Sequence, residues 1–345
     1  MSKRMTVGIM LAGIAAGLPA AAMAADFYKG KTITFLVGYN PGGGYDLYSR
    51  TFAAHLGANI PGNPKVTVQN MPGGGSIRAA NYLYNVAAKD GTVIGMIDQS
   101  ISLKQVLDPS SLKGDVRKFN WVGRISSNQS ILYAWHTARV KTIKDAFKNE
   151  LIIAAPGASS RMLTKAMKNM LGIKFKVITG YRGTRNARLA LEKGEVHATT
   201  QPWTALKANQ PTWVKEKKVN VLMQANTNGH PDLKGVPLVT DLGRNDEEKK
   251  ILSLIAGGAD VGRSVVAPPG LPADRVATLR SAFDKTMKDK AYLATMKKVG
   301  LDLAPQTGQT LQKSMKVAVE SIPPALAATA RKLAEFKPRK KKKKK

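Results

Sequence analysis

Four glycine-rich or serine-rich turns are the part of this sequence whose residue types and spacing point to chemistry. They occupy residues 40–44, 71–75, 156–160 and 180–183. A glycine turn lets the backbone come close to a ligand, and the helix that follows begins with unpaired N–H groups at the positive end of its dipole. A carboxylate or phosphate binds there without a dedicated charged side chain. The turns therefore predict an anion site, although each one alone is also explained as a tight connection between a strand and a helix.

Catalytic motifs are incomplete in this chain. Gly42 and Gly44 begin a dinucleotide-binding fingerprint, but Leu47 stands where its third glycine belongs. The turn at 156–160 lacks the closing glycine of a nucleophile elbow. The four histidines show no metal-ligand spacing, and the absence of cysteine excludes thiolate nucleophiles, disulfides and cysteine zinc sites. We therefore predict no catalytic residue, no metal site and no cofactor.

Alternating strand and helix patterns predict the elements that position the turns. The apolar runs that predict strands are residues 33–38, 66–69, 151–155 and 175–179. In the helix after the first run, Tyr48, Phe52 and Leu56 share one face. Ser76 is predicted to cap the second helix, and Gly194 ends the last one. This alternation predicts parallel sheets covered on both faces, with a ligand crevice beyond the carboxyl ends of the strands.

The length and composition predict two domains, each with its own core. The chain has 345 residues, of which 43% are hydrophobic, and domains of about 150 residues are large enough to bury a core. The formal net charge is +31, and removing the ten basic residues at the two ends leaves +21 for the body. So basic a body favours acidic small molecules, anionic membrane surfaces or nucleic acid as partners, unless it is simply a solvated lysine-rich surface.

The two ends of the chain predict an export signal and a charged tail. Lys3 and Arg4 precede an apolar run and a small-residue site that ends at Ala24, which is the order of a secretory signal peptide over residues 1–24. An uncleaved membrane anchor is the alternative. Residues 337–345 carry eight lysines and arginines, and we expect this polybasic tail to be disordered. The tail either contacts anionic lipid or nucleic acid, or has no function.

Eight short motifs, taken in their order along the chain, resemble the Bug-type (TctC-like) periplasmic receptors of the tripartite tricarboxylate transporter family. The motifs are VGYNPGGGYD (37–46), VQNMPGGGS (68–76), AAN (79–81), KDGT (89–92), GYRG (180–183), LEKGEV (191–196), GVP (235–237) and VAPPGLP (266–272). The resemblance spans residues 26–336. Each motif alone is weak, and it is their order and spacing that carry the resemblance.

The resemblance implies an α/β fold of the two-domain periplasmic-binding-protein class (type II, Venus flytrap) with parallel-rich sheets. By the same likeness the first domain comprises residues 26–124 plus 262–336, and the second comprises 125–261. The implied function is a periplasmic solute-binding receptor that captures a small organic carboxylate in the interdomain cleft. The receptor delivers that acid to an inner-membrane permease of the tripartite tricarboxylate type, without catalysis. We expect a monomer with no nucleic-acid partner.

The resemblance also implies which residues bind the ligand. In that family, backbone amides of the first two loops bind a carboxylate, often through water, and loops after later strands complete the cleft. The positions of this chain that match are Tyr39, Asn40, Pro41, Gly42, Gly43, Gly44, Asp46, Gly73, Gly74, Gly75, Ser76, Ile77, Asp98, Ser100, Gly157, Ser159, Ser160, Tyr181, Arg182, Gly183, Thr184, Gln201 and Trp203.

Four of the side chains near these loops carry more specific hypotheses. Arg182 stands where the family usually has lysine, and Arg78 where small or polar residues are common. A guanidinium fork suits a carboxylate, so either arginine is a candidate clamp, with a solvated surface role as the alternative. Tyr39 and Trp203 are candidates to stack on a planar ligand, with packing of the cleft wall as the alternative.

Two other functions stay open at this point. The first is an exported enzyme that acts on a carboxylate in the same cleft, which turnover of a bound acid would reveal. The second is a basic surface-binding or nucleic-acid-binding protein, whose affinity would fall steeply with salt. The chain shows no helix-turn-helix or aromatic-sheet pattern for the second function. No pair of carboxylates in loop positions supports the first.

Overall fold

The computed structural model describes residues 27–226 and 229–334. The predicted signal peptide, residues 1–24, and the predicted tail, residues 337–345, lie outside that part of the chain. Among the helices that are described, none has both the length and the apolar character needed to cross a lipid bilayer.

Eleven strands of the described chain form two sheets. The first sheet contains β1 (Thr32–Val37), β2 (Lys65–Asn70), β3 (Val93–Met96), β4 (Asn120–Arg124), β10 (Ser264–Ala267) and β11 (Gln306–Thr307). The second sheet contains β5 (Ser130–Trp135), β6 (Leu151–Ala154), β7 (Phe175–Ile178), β8 (Ala198–Pro202) and β9 (Val219–Gln224). The four apolar runs of the sequence are confirmed as β1, β2, β6 and β7.

Each sheet mixes parallel and antiparallel strands. The order across the first sheet is β11-β4-β10-β3-β1-β2, and across the second it is β7-β6-β8-β5-β9. Strand β1 is parallel to β2 and β3, and β6 is parallel to β7 and β8. Strand β10 is antiparallel to both of its neighbours, and so is β5. The predicted parallel pairs are present around β1 and β6. Strands β5, β10 and β11 run antiparallel to their neighbours, which the alternation of strands and helices did not predict. Strand β5 enters the second sheet directly from β4 of the first sheet, without a helix between them.

Twelve α-helices of the described chain cover the sheets. They are α1 (Gly44–Leu56), α2 (Ile77–Asn85), α3 (Ile101–Leu107), α4 (Ala158–Leu171), α5 (Thr184–Glu192), α6 (Trp203–Asn209), α7 (Pro211–Lys215), α8 (Asp246–Ala256), α9 (Ala273–Thr286), α10 (Lys290–Lys298), α11 (Gly308–Glu320) and α12 (Pro324–Leu333). The face of α1 that the sequence predicted is confirmed, since Tyr48, Phe52 and Leu56 are all buried. Burying a side chain as large as Phe52 stabilises the fold by about 2–3 kcal/mol.

Ser76 stands at the N-cap of α2, as predicted, but its side chain does not cap the helix. Ser76 has a left-handed backbone with φ of 74°, and its side chain makes no capping hydrogen bond to the helix. Its hydroxyl oxygen instead accepts a hydrogen bond from the backbone N–H of Asp98, 3.1 Å away. Ser76 therefore begins α2 through its backbone, while its side chain joins two loops of the first sheet.

Two segments connect the sheets, and they pair with each other. The backbone N–H of Ile125 donates to the carbonyl oxygen of Arg263 over 2.9 Å, and the N–H of Arg263 donates to Ser126 over 2.8 Å. Gly262, just before, has φ of 51°, and a Cβ placed there would lie 2.1 Å from the Ser126 oxygen. Only glycine fits so close to the neighbouring backbone, so the two connections are held together as one narrow link.

The last helix packs beside the helices of the second sheet. Ala327 and Ala330 of α12 belong to the hydrophobic cluster that also contains Leu163 and Met167 of α4. Helix α12 lies in the range predicted for the first domain, and its small buried residues allow it to pack closely against α4. The domain boundaries themselves stay a prediction.

Candidate functional site

A cavity lies where loops of the two sheets face each other. Its volume is about 490 Å³ when all the space between the lining atoms and at its open mouth is counted. It is lined by Tyr39, Gly43, Gly44, Tyr45, Asp98, Asn128, Ser130, Pro156, Gly157, Ser159, Ser160, Gly183, Thr184, Thr200, Gln201, Pro202 and Arg263. These residues follow the carboxyl ends of parallel strands or precede the amino ends of the antiparallel strands β5 and β10, and both kinds of strand end meet at one edge of a sheet.

Three helices begin at this cavity with glycine as their N-cap. Gly43 caps α1, Gly157 caps α4 and Gly183 caps α5, and none of these caps offers a side chain to the N–H groups of the first turn. The first turn of a helix has N–H groups without partners inside the helix. Here those groups are left to solvent or to a ligand, and the helix dipoles favour a negative charge.

Asp98 connects the first sheet to the second at the edge of the cavity. Its carboxylate accepts hydrogen bonds from the hydroxyls of Tyr39 and Ser100. It also accepts from the Ser100 backbone N–H and from the hydroxyl of Ser159, each over 2.9 Å. Burial, and then the charge of Asp98, raise the pKa of Tyr39 well above its ordinary value, so Tyr39 stays protonated and donates. These four hydrogen bonds fix the Asp98 side chain in its position on the cavity wall.

Arg263 lies on the opposite part of the wall. Its side chain is 2% exposed, and its Cζ atom lies 3.8 Å from the centre of the Tyr45 ring. Its Nη2 donates to the Asn128 side-chain oxygen over 3.0 Å, and the Asn128 amide donates in turn to the side chain of Gln99. The Nε and Nη1 atoms of Arg263 are buried without an acceptor among the described residues.

A second buried arginine, Arg188, joins the two sides of the cavity. Its Nη1 donates to the Gln201 side-chain oxygen and its Nη2 to the Gly42 carbonyl, each over 3.3 Å. Burial lowers the pKa of Arg188. Nearby, the backbone N–H of Asn40 donates to the carbonyl of Arg182 over 3.1 Å. The loop after β1 is thus bonded directly to the segments around α5, and the cavity is closed on that side.

Two polar atoms of the second sheet also face the cavity without partners. The Thr184 hydroxyl and the Gln201 side-chain nitrogen are buried and have no hydrogen-bond partner among the described residues. Both residues line the cavity. Buried polar groups are nearly always paired with protein, water or ligand, so these two atoms are available to a polar solute.

The structure brings ten of the sequence-predicted site residues to the cavity wall. They are Tyr39, Gly43, Gly44, Asp98, Gly157, Ser159, Ser160, Gly183, Thr184 and Gln201. The other predicted residues do not line it: Asn40, Pro41, Gly42, Asp46, Gly73, Gly74, Gly75, Ser76, Ile77, Ser100, Tyr181, Arg182 and Trp203. Their part in binding stays a prediction.

Three of the four side chains with specific hypotheses lie elsewhere, and only Tyr39 lines the cavity. Arg182 is exposed. Arg78 is exposed as well and lines a separate groove with Gly73. Trp203 is buried in a hydrophobic cluster of the second sheet, and its indole N–H donates to Asp232 over 3.0 Å. In this arrangement Trp203 packs within the second sheet and its helices.

Seven residues of the wall were missed by sequence reasoning. They are Tyr45, Asn128, Ser130, Pro156, Thr200, Pro202 and Arg263. Tyr45 and Pro156 lie within or beside the glycine-rich turns, so neighbourhood alone could have nominated them. Arg263 precedes an antiparallel strand and has no motif around it that points to a ligand. Only its burial in the fold reveals it.

Metal chemistry has no support among the residues that the structure describes. They contain no group of three or more histidines, aspartates or glutamates placed to hold a metal ion.

Comparison with known proteins adds a family and a fold. The family model described as "Tripartite tricarboxylate transporter family receptor" matches residues 52–323. The structure resembles that of the periplasmic binding protein BugD, with a TM-score of 0.71 and 20% identity over 90% of this chain and 100% of that one.

Two further structures come from Rhodopseudomonas palustris. Rpa4515 with adipate has a TM-score of 0.69 and 19% identity over 90% of this chain and 99% of that one. MatC with bound malate has a TM-score of 0.67 and 18% identity over 87% of this chain and 99% of that one. At these identities the likeness shows the fold, and it confirms the predicted α/β class of periplasmic binding proteins.

Proposed function

The chain belongs to the tripartite tricarboxylate transporter receptor family, and from that membership we propose that it captures a small organic carboxylate in the cavity between its two sheets. Closure around the acid then presents one defined shape to a membrane permease of the tripartite tricarboxylate type. Receptors of this kind work in the periplasm, and we propose that location for this chain. The predicted signal peptide would direct its export. We propose a monomer with domains at 26–124 plus 262–336 and at 125–261.

One observation carries the proposal: three glycine-capped helix N-termini open into one cavity. Glycine caps leave the first-turn N–H groups without a competing side-chain acceptor. An anion is therefore favoured there by hydrogen bonds and by three helix dipoles together. The neighbouring Thr184 hydroxyl and Gln201 amide supply further polar contacts for the rest of the molecule.

The ligands of similar proteins support a small acid. Adipate and malate, which are bound in two of the similar structures, are short chains with two carboxylates. We therefore propose short dicarboxylic acids as the first class of solute to test.

We propose binding without catalysis. Asp98 is the one carboxylate that lines the cavity among the described residues, and Tyr39, Ser100 and Ser159 already donate to it. A general acid or base needs a free position within reach of the substrate. The wall thus offers an anion-binding surface instead of a reactive group.

The test is a thermal-shift screen of the purified protein against malate, succinate, adipate, citrate and aromatic acids, each at saturating concentration. A solute that binds only the folded state increases the free energy of unfolding, by about 2.7 kcal/mol at one hundred times its Kd. The melting temperature rises as a result. The neutral form of each acid in which every carboxyl group is an amide is the control, and we expect no shift with it. A panel in which no acid shifts the melting temperature, or in which amides shift it equally, would refute the proposal.

Small-angle scattering tests the closure. Because a solute that contacts both sheets stabilises only the arrangement in which they approach each other, a bound acid is expected to reduce the radius of gyration. An acid that binds tightly and leaves the radius of gyration unchanged would contradict the hinge mechanism while leaving the binding site in place.

A further inference from the structure

Arg263 carries an inference that rests on the proposed function and makes it more specific. It is an arginine in the interior of a chain whose ionisable residues otherwise lie mostly at the surface, and it lines the same cavity as the glycine-capped helices. Burying a charged group is unfavourable unless it is paired. The partners of its guanidinium therefore decide what the residue is for.

The protein supplies only part of that pairing. Among the described residues, Nη2 donates to Asn128 over 3.0 Å, whereas Nε and Nη1 donate to no acceptor. No carboxylate of these residues forms an ion pair with Arg263, although other arginines and lysines of the same residues do form such pairs. The faces of Tyr45 and Tyr48 lie 3.8 and 5.8 Å from its Cζ, and aromatic faces offset only part of the cost of burying a cation.

Arg188 provides the contrast. It is also buried, at 5% exposure, but its two terminal nitrogens donate to Gln201 and to the Gly42 carbonyl. Arg188 is thus committed to protein acceptors and joins the two sides of the cavity. Arg263 has two nitrogens, Nε and Nη1, that donate to no acceptor of the described residues, although it is less exposed than Arg188.

The guanidinium of Arg263 lies beside the N-terminus of α1. A Cβ built on Gly44 would lie 3.4 Å from Arg263 Nη2, and Gly44 is the first residue of that helix. The guanidinium and the first-turn N–H groups of α1 therefore face one part of the cavity. Both favour an oxyanion, and an arginine binds a carboxylate more strongly than a neutral donor does.

The other charged group on the wall does not compete for the solute. Asp98 accepts three hydrogen bonds on Oδ1, from Ser100 and Ser159, and one on Oδ2, from the Tyr39 hydroxyl, so most of its carboxylate is already bound to protein donors. An ammonium group in the cavity would therefore meet the Arg263 cation with only a largely engaged carboxylate to balance it. The wall discriminates against amino acids for this reason.

We propose that the guanidinium of Arg263 binds a carboxylate of the solute directly, and that the receptor consequently selects organic acids that lack an ammonium group. Arg263 is then the cationic anchor of the site, and the helix N-termini complete the binding of the acid. Its hinge position, where Ile125 and Ser126 bond to its backbone, connects the bound charge to the link between the two sheets.

The test compares two arginines and two solutes of matched size. The Kd of the protein for malate, succinate and adipate is measured by calorimetry for the wild type, Arg263→Gln, Arg263→Lys and Arg280→Gln. Arg280 is a half-buried arginine that donates to the Trp121 carbonyl away from the cavity, so its substitution removes the same charge elsewhere. Aspartate is measured beside malate, because the two differ in the ammonium group.

We expect Arg263→Gln to weaken binding of the best acid by about a hundredfold, which is within the range for removing one partner of a buried charge pair. Arg263→Lys is expected to recover part of the loss and Arg280→Gln to bind as the wild type does. Without solute, Arg263→Gln is expected to melt no lower than the wild type, since it removes a buried charge that lacks protein partners. Wild-type affinity for aspartate is expected to be at least tenfold weaker than for malate.

A direct spectroscopic measurement keeps the proposal testable if Arg263→Gln fails to fold. In the wild type labelled with 15N-arginine, the Nε–H resonance that disappears in Arg263→Lys is expected to move on addition of the best acid. An unmoved resonance, wild-type affinity in Arg263→Gln, or equal affinity for aspartate and malate would overturn the proposal. If no acid binds the wild type, the proposed function itself fails and this inference with it. Acid binding that survives Arg263→Gln overturns the role of Arg263 alone.

Discussion

Two triple-glycine loops with almost the same sequence occupy different places in this molecule. In the first, at residues 42–44, Gly43 and Gly44 begin α1 and line the cavity. In the second, at residues 73–75, no glycine lines the cavity. Gly75 instead packs against α4, because a Cβ placed on it would lie 2.8 Å from Ala158 Cβ. The same motif thus places the start of α1 at the cavity, whereas before α2 it packs against the start of α4.

The backbone explains the difference. In the first loop only Gly42 has positive φ, at 82°, and the chain turns once before α1 begins. In the second loop four consecutive residues, from Gly73 to Ser76, have φ of 146°, 58°, 64° and 74°. The longer left-handed stretch carries the start of α2 past the cavity. A run of glycines therefore predicts a backbone with positive φ. The direction of the following helix depends on how many residues of the run have positive φ.

The largest effect that separates the two loops is expected from Gly44→Leu. Gly44 has no positive φ, so leucine strains no backbone there, but its side chain enters a packed position and is expected to cost about 1–3 kcal/mol of stability through overpacking. A Cβ there would lie 3.1 Å from Ala205 on the other side of the cavity and 3.4 Å from Arg263. The larger side chain obstructs both closure and solute.

For Gly44→Leu we expect affinity for the best dicarboxylate to fall at least a hundredfold, which is about 2.7 kcal/mol. Calorimetry measures the affinity and urea unfolding the stability. Unchanged affinity would show that this end of α1 does not approach the solute. A loss of stability well beyond the range of about 1–3 kcal/mol expected for overpacking would show that the effect is not specific to binding.

A smaller effect, on stability, is expected from Gly75→Ala. With φ of 64° and a Cβ 2.8 Å from Ala158 Cβ, the alanine is strained and crowded at once. We expect urea unfolding to show a loss of roughly 2 kcal/mol, about half from the left-handed backbone and the rest from overpacking. Gly172→Ala is the matched control, because Gly172 has φ of 73° and nothing within 4 Å of its Cβ position. Equal losses in the two variants would mean that the contact with Ala158 contributes nothing.

These loops also show how far the sequence reaches. The apolar runs predicted β1, β2, β6 and β7, because a buried strand needs a short apolar segment wherever it lies in the sheet. Ten of the residues that line the cavity were predicted as site residues, and most of them lie on loops after parallel strands. The direction of β5 and β10 could not be predicted, because an apolar run has the same local pattern whichever way the strand runs in its sheet.

That unseen direction is the reason Arg263 and Asn128 were missed. Both precede an antiparallel strand, so the amino end of that strand meets the edge where the parallel strands end. A search restricted to loops after strands passes over them. Arg182, which the sequence nominated instead, stands in such a loop but is exposed. Exposure depends on the packing of the two sheets, and no local pattern carries that information.

Each loop also has one polar anchor, and for the second loop it is Ser76. Its hydroxyl is the acceptor for the buried N–H of Asp98, 3.1 Å away. Ser76→Ala leaves that N–H without a partner, which costs about 1.5 kcal/mol. Urea unfolding is expected to show this loss. Because Asp98 also accepts from Ser159 of the second sheet, a displaced Asp98 is expected to weaken solute binding a few fold. A variant as stable as the wild type would show that the hydrogen bond from the Asp98 N–H to Ser76 does not stabilise this loop.

The anchor of the first loop is Asp46, which gives the smallest effect and one that depends on pH. Burial raises the pKa of its carboxyl, but hydrogen bonds from Arg50, from the Gly42 N–H and from Asn70 outweigh burial and hold the pKa below its ordinary value. A carboxyl with a lowered pKa stabilises the fold above its unfolded pKa of about 3.9. That stabilisation is lost as the pH falls through the folded pKa.

We therefore expect Asp46→Asn to lower the free energy of unfolding by about 1 kcal/mol at pH 7, and the difference from the wild type to shrink as the pH falls below about 4. Urea unfolding at several pH values measures it, with Asp241→Asn as the control, because Asp241 is a surface carboxylate that accepts from the Leu238 N–H far from either loop. A difference that stays constant down to low pH would mean that the charge of Asp46 is not what holds the first loop. The loop's position beside the solute would then depend on its glycines alone.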